Sequence, residues 1–152
     1  ARPVAAATVA LFWAGIGLGR AITAWTAKHM ADYVIICIAL GFATMFQSAL
    51  LLVGWWVYGL ILVPLLGFAL APVWPTTISR ASALHPSQTG SVLSIVVAAG
   101  AVGGGFIPAA IGQAADRIGL HPALWTCAVL SLINFTMFVA IWARHRERRE
   151  AR

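Results

Sequence analysis

Apolar residues fill this chain in five long blocks, and the charged positions fall between them. No Asp, Glu, Lys or Arg occurs from Tyr33 to Ser79, from Ala81 to Ala115, or from Ile118 to Ala143. A core buried in a soluble protein breaks such runs with polar faces at helical or strand period, and these runs have none. About 20 apolar residues, rising 1.5 Å each, match a hydrocarbon core about 30 Å thick. Lipid offers no partner to backbone N–H and C=O groups, and the blocks are too long for barrel strands, so each is expected to be a helix. The breaks predict spans over about 4–23, 33–53, 57–78, 90–112 and 122–143. Between them lie Thr26-Ala27-Lys28-His29, the Gly54-Trp55-Trp56 turn, a loop from Ser82 to Gln88, and Asp116-Arg117-Ile118-Gly119, with a basic tail over 144–152. The expected class is an all-α integral membrane protein with five transmembrane helices.

Composition agrees: 61% of the 152 residues are hydrophobic and 9% charged, too few charges to cover a soluble surface. The charges also set direction. Arg20, Lys28, Arg80, Arg144, Arg146, Arg148, Arg149 and Arg152 fall on one side of the expected topology, Arg2 and Arg117 on the other. The positive-inside rule makes the first side cytoplasmic, with residue 1 outside and residue 152 inside. Indoles favour the membrane interface, and Trp25, Trp55, Trp56, Trp125 and Trp142 fall at span ends. Trp13 and Trp74 do not; each is either a helix-packing residue or a ring facing a transport cavity. The tail is either a topological stop signal or a binder of anionic lipid. The chain opens Ala-Arg-Pro, and its first apolar block is longer than the h-region of a signal peptide, so a fragment or a processed chain is expected. Cys37 and Cys127 lie at depths roughly 15 Å apart by helical rise, against the ~7 Å between Cα atoms that a disulfide allows. Both are expected to be packing residues.

Small residues and prolines mark where these helices touch and bend. Gly15 and Gly19 make one four-residue step, while Gly100, Gly104, Pro108 and Gly112 form a longer stripe in the fourth span. The longer stripe is the stronger expectation for a close packing seam. Pro64, Pro72 and Pro75 crowd the third span, each removing a backbone hydrogen bond and favouring a bend. The third and fourth spans are therefore expected to line a pathway and move, and the second and fifth to be scaffold. No Asp or Glu lies within a span, and His29, His85, His121 and His145 are all in loops or tail. No nucleophile–base pair, metal-ligand set or phosphate loop shares one membrane plane, so no enzyme, metal or cofactor is expected. No nucleic-acid partner is expected either.

Three stretches carry a resemblance. Phe12-Trp13-Ala14-Gly15-Ile16-Gly17-Leu18-Gly19-Arg20 resembles the helix before the motif-A-type loop of the major facilitator superfamily. Gly67-Phe68-Ala69-Leu70-Ala71-Pro72-Val73-Trp74-Pro75-Thr76 resembles its tenth helix, and Gly90 through Gly103-Gly104-Gly105-Phe106-Ile107-Pro108 to Asp116 resembles its eleventh. The pattern is similar to fucose-type sugar permeases. The resemblance implies helices eight to twelve of the carboxy-terminal half, and a bacterial inner-membrane carrier that moves a small solute such as a sugar or organic anion by alternating access. Its partners would be membrane lipids and the amino-terminal half. It implies a motif-A-like loop at Gly15, Gly19, Arg20 and Lys28, helix bending and packing at Pro72, Pro75, Gly100, Gly104 and Pro108, and a pathway that Trp13, Trp74, Ser91 and Ser94 are candidates to line. The motif continues in that family with a further Gly and an acidic residue, where this sequence has Ala24 and Lys28. The alternative is a small accessory or assembly subunit that moves no solute. A channel or an ATP-driven permease subunit would need a cytoplasmic coupling helix, which neither short inside loop offers.

Overall fold

The computed structural model describes residues 2–53 and 59–150, with side chains from Val4 to Val53 and from Gly59 to Arg144. The Gly54-Trp55-Trp56 turn lies outside the described residues. In chain order the helices are α1 (Arg2–Thr26), α2 (Asp32–Val53), α3 (Gly59–Leu70), α4 (Val73–Leu84), α5 (Thr89–Ile118) and α6 (Leu120–Glu150), with a short 3₁₀ turn at Pro86–Gln88. With α3 and α4 taken together, five helical segments are long and apolar enough to cross a membrane. The surface bears this out, with Leu52 72%, Phe106 71% and Ile95 69% exposed. Side chains of this kind carry no hydrophobic cost where they meet lipid.

α2 is the hub. It packs against α3, α4 and α6, and it buries Ile35, Ile36, Ala39, Leu40, Ala43, Leu50 and Leu51. Asp32 opens it, placing a carboxylate where the helix dipole favours negative charge. Its far end meets the start of α6, where His121 Nε2 lies 2.9 Å from the Leu51 carbonyl oxygen. That oxygen only accepts, so Nε2 carries the proton and donates, satisfying one of the carbonyls that a helix end leaves open. α5 and α6 are joined through Gly119 alone, whose φ of +89° is the left-handed conformation that glycine takes without strain.

The third span is two helices, not one bent one. Proline's ring clashes with the carbonyl four residues back, and Pro75 and Pro72 direct that clash at Ala71 and Phe68. The helix breaks at Ala71–Pro72, where Ala71 N–H donates to the carbonyls of Gly67 at 3.1 Å and of Phe68 at 3.4 Å. Pro64 lies inside α3 without breaking it. The span also runs beyond the end expected at Ile78, with α4 continuing to Leu84. Arg80 thus sits on a helix, its guanidinium 4.6 Å from the centre of the Tyr33 ring on α2 and donating to Tyr33 Oη at 3.4 Å. A long basic side chain on this anchor lets the helix hold a charge near its end. α5 exceeds expectation in the same way: 30 residues cover about 45 Å by helical rise, more than the ~30 Å hydrocarbon core.

Candidate substrate pathway

The tightest packing among the described residues lies between α1 and α3. A Cβ built on Gly15 would overlap the Pro64 carbonyl oxygen, and one on Gly19 would stand 2.6 Å from the Phe68 carbonyl oxygen and 2.5 Å from Ala71 Cβ. From the other side, a Cβ on Gly67 would overlap the Phe12 carbonyl oxygen. Three glycines on two helices therefore interlock backbone against backbone. This corrects the expectation that the fourth-span stripe is the stronger seam. Within that stripe Gly100 receives the Trp74 ring, a Cβ there meeting ring carbons at 2.5 and 2.9 Å, while Gly104 and Gly112 meet nothing within 4 Å. The close neighbour expected at Gly104 is not found among the described residues. Spacing alone did not separate the two stripes, since the bareness of the opposing surface decides which one closes.

The candidate pathway residues sit on exposed faces. Trp13 is 62% exposed and its ring stands edge-on to Phe12 at 6.0 Å between centroids. Trp74 is 44% exposed, the second residue of α4 beyond the break, with the outer carbons of its ring against Gly100. Ser91 and Ser94 are both exposed on α5, and the Ser94 hydroxyl donates to the Gly90 carbonyl at 2.9 Å. At 100° per residue the two serines lie across α5 from Gly100, so the chain does not gather them beside the Trp74 ring. No residue of α5 is buried. Pro108 lies inside this helix without breaking it.

Neither of two apolar grooves among the described residues is lined by Trp13, Trp74, Ser91 or Ser94. One, of about 280 Å³, opens between α1, α2 and the broken span, with Phe42, Phe46, Phe68 and Pro72 in its walls. Its two hydroxyls, Thr23 and Thr26, already donate to the carbonyls of Gly19 at 2.7 Å and Ile22 at 2.9 Å. Of the motif-like residues, Arg20 and Lys28 are exposed, Arg20 on the last turns of α1 and Lys28 in the turn that follows it. Cys37 and Cys127 are free thiols, half-buried on α2 and α6. Among the described residues no group of His, Cys, Asp or Glu could hold a metal ion. The sequence pattern did not single out the Arg80–Tyr33 contact or the His121–Leu51 bond. A lone Arg between two uncharged runs was the available signal for the first.

The family model of the Major Facilitator Superfamily matches residues 2–152. The chain belongs to the Major Facilitator Superfamily. No curated protein and no solved structure matches it. Membership makes the chain a multi-pass membrane protein of the transporter type, in a family whose members are transporters rather than enzymes in general. It also favours the transporter reading over a small accessory subunit.

Proposed function

We propose that this facilitator chain forms helices eight to twelve of a secondary active transporter similar to fucose-type sugar permeases. It would carry a small solute, a sugar or an organic anion, across a bacterial inner membrane by alternating access. The observation that carries this reading is the uneven burial of the bundle. α2 is covered on several sides, whereas α5 buries no residue and Trp13 and Trp74 stand open on α1 and α4. A surface of that kind suits a cavity shared with an amino-terminal half. In this reading an indole stacks on the apolar face of a sugar ring, Ser91 and Ser94 supply hydroxyl partners, and the break at Ala71–Pro72 lets α4 move. Arg20 and Lys28, with Gly15 and Gly19 before them, form the motif-A-like loop. The distribution of basic residues puts residue 1 outside and residue 152 in the cytoplasm.

The experiment is solute uptake by the complete protein carrying Trp13→Phe or Trp74→Phe. Weakened affinity at normal expression is expected, more so for Trp74. Wild-type affinity in both variants would return the two residues to packing and remove them from the site. Impermeant labelling of cysteines placed at positions 88 and 121 tests orientation separately, with label expected at 121 alone in intact cells.

A further inference from the structure

The groove between α1, α2 and the broken third span is long rather than round. Its α2 wall is Ile35, Ala39, Phe42 and Phe46, at steps of four, three and four. Those eleven steps cover about 16 Å by helical rise, close to half of a ~30 Å hydrocarbon core. Phe42 and Phe46 are stacked, with centroids 5.8 Å apart and planes at 22°. From α1 come Gly19, Thr23 and Thr26, again at steps of four and three. The two threonine hydroxyls donate to carbonyls of their own helix, so the groove offers apolar contact and no free hydroxyl donor. An extended hydrocarbon about one leaflet deep fits that shape and that chemistry.

Charges at one end decide what that hydrocarbon carries. α1 ends at Thr26, α2 begins at Asp32, and Met30 in the turn between them also lines the groove. The Thr26 carbonyl holds this turn, accepting from His29 N–H at 2.9 Å and Met30 N–H at 3.0 Å. Trp25 beside it is 66% exposed and edge-on to His29 at 5.4 Å, an indole at a helix end, as the membrane interface favours. Lys28 stands exposed in the turn, between the lining residues Thr26 and Met30. Asp32 is partly buried and lies three residues before Ile35, so it continues the α2 wall by one step. Among the described residues no ion pair involves Lys28 or Asp32. Arg20 falls 100° around α1 from Gly19, off the groove face, and Arg80 is engaged by Tyr33. One cation and one anion are thus left at the mouth.

We propose that this groove holds an acyl chain of phosphatidylethanolamine, with Lys28 against the headgroup phosphate and Asp32 against its primary ammonium. The headgroup carries those two charges two carbons apart, and its ammonium, like that of lysine, has N–H donors for a carboxylate. A purely anionic headgroup would bring like charge to Asp32, and the quaternary ammonium of phosphatidylcholine has no N–H to donate. This rests on the membrane-spanning architecture and not on the solute path or the orientation of the chain.

The test uses the full-length protein, stripped of lipid in detergent. Phosphatidylethanolamine, phosphatidylcholine and phosphatidylglycerol with the same acyl chains are titrated separately, and bound lipid is counted by native mass spectrometry. Phosphatidylethanolamine should bind about tenfold more tightly than phosphatidylcholine, the difference of one charge-assisted hydrogen bond. Asp32→Asn should remove that difference and tighten phosphatidylglycerol, while Lys28→Gln should weaken all three about fivefold. A preference for phosphatidylethanolamine that survives Asp32→Asn would overturn the proposal. So would phosphatidylglycerol bound as tightly as phosphatidylethanolamine by the unaltered protein, or competition by glycerophosphoethanolamine, which lacks acyl chains, as strong as by the intact lipid. Ile22→Trp enlarges a groove-lining side chain that is 49% exposed and leaves both charges in place. It should displace the lipid while thermal unfolding confirms that the variant is folded. Lipid retained by folded Ile22→Trp protein would also overturn the proposal.

Discussion

The two halves of the third span share one break, yet they are held in different ways. α3 is clamped to α1 by backbone, with Gly15, Gly19 and Gly67 leaving no room for a Cβ at three successive contacts. α4 is held by side chains: the Trp74 ring on Gly100 of α5, and the Arg80 guanidinium on Tyr33 of α2. Backbone seams gain dispersion contact along a whole helix face and have no rotamers to adjust. A ring on a glycine, or a guanidinium over a ring, is one contact that can let go and re-form. The break at Ala71–Pro72 thus separates a fixed half from one suited to movement, and the difference arises from which surface each glycine stripe meets. Gly100 and Gly104 have the same four-residue spacing as Gly15 and Gly19, yet Gly104 meets nothing within 4 Å among the described residues.

The largest effect is expected at the clamp. Gly19→Leu drives a side chain into the Phe68 carbonyl and Ala71, both fixed, and should cost about 3 kcal/mol or more, at the upper end of overpacking. Thermal unfolding in detergent measures it, with Gly17→Leu as the control, since Gly17 on the same helix meets nothing within 4 Å. Equal stability of the two variants would erase the distinction between α3 and α4.

A middle effect is expected where α4 meets α5. Gly100→Leu displaces an aromatic ring that is 44% exposed and has room to turn, so about 1–2 kcal/mol is expected, less than at Gly19. Gly104→Leu should leave thermal stability within about 0.5 kcal/mol, because no described residue is in reach. In the complete protein it should nonetheless lower solute uptake, if the open side of α5 faces the other half as proposed. A loss of stability at Gly104 as large as at Gly100 would place a neighbour there that this chain does not supply.

The spans were legible in the sequence because a membrane imposes one requirement, length without charge, that any window of residues displays. The family was legible for a related reason, since glycines and prolines at fixed spacing mark where backbones approach and bend. Pairing was not. Gly15-x-x-x-Gly19 was the weaker stripe on spacing and proved the tighter seam, because Gly67 and the carbonyls of Pro64 and Phe68 come from a helix some fifty residues away. The prolines announced a bend, and a full break came at Ala71–Pro72, while Pro64 stayed inside a helix. Trp13 and Trp74 stood out by depth, which the structure converts to exposed rings on two helices, one of them also seated on a glycine. Arg80 was placed just past a span end, since no count of apolar residues anticipates an aromatic partner on another helix.

The smallest effect concerns the second hold on α4, and it separates its two components. Arg80 has a ring contact and a long hydrogen bond with the same tyrosine, while its Nε is buried without a hydrogen-bond partner. A hydrogen bond at 3.4 Å is near the limit of useful geometry, so the ring contact should provide most of the attachment. Tyr33→Phe keeps the ring and removes the hydroxyl, and should change unfolding by no more than about 0.5 kcal/mol. Tyr33→Leu removes the ring as well and should cost about 0.5–1 kcal/mol beyond that, the usual range of a cation–π contact. The order matters more than the sizes. If Phe proves as harmful as Leu, the hydroxyl is the hold, and α4 is pinned by a directional bond rather than by a face over which a guanidinium can slide. The contrast with the clamped α3 would then narrow, and the freedom assigned to α4 would have to come from the Trp74–Gly100 contact alone.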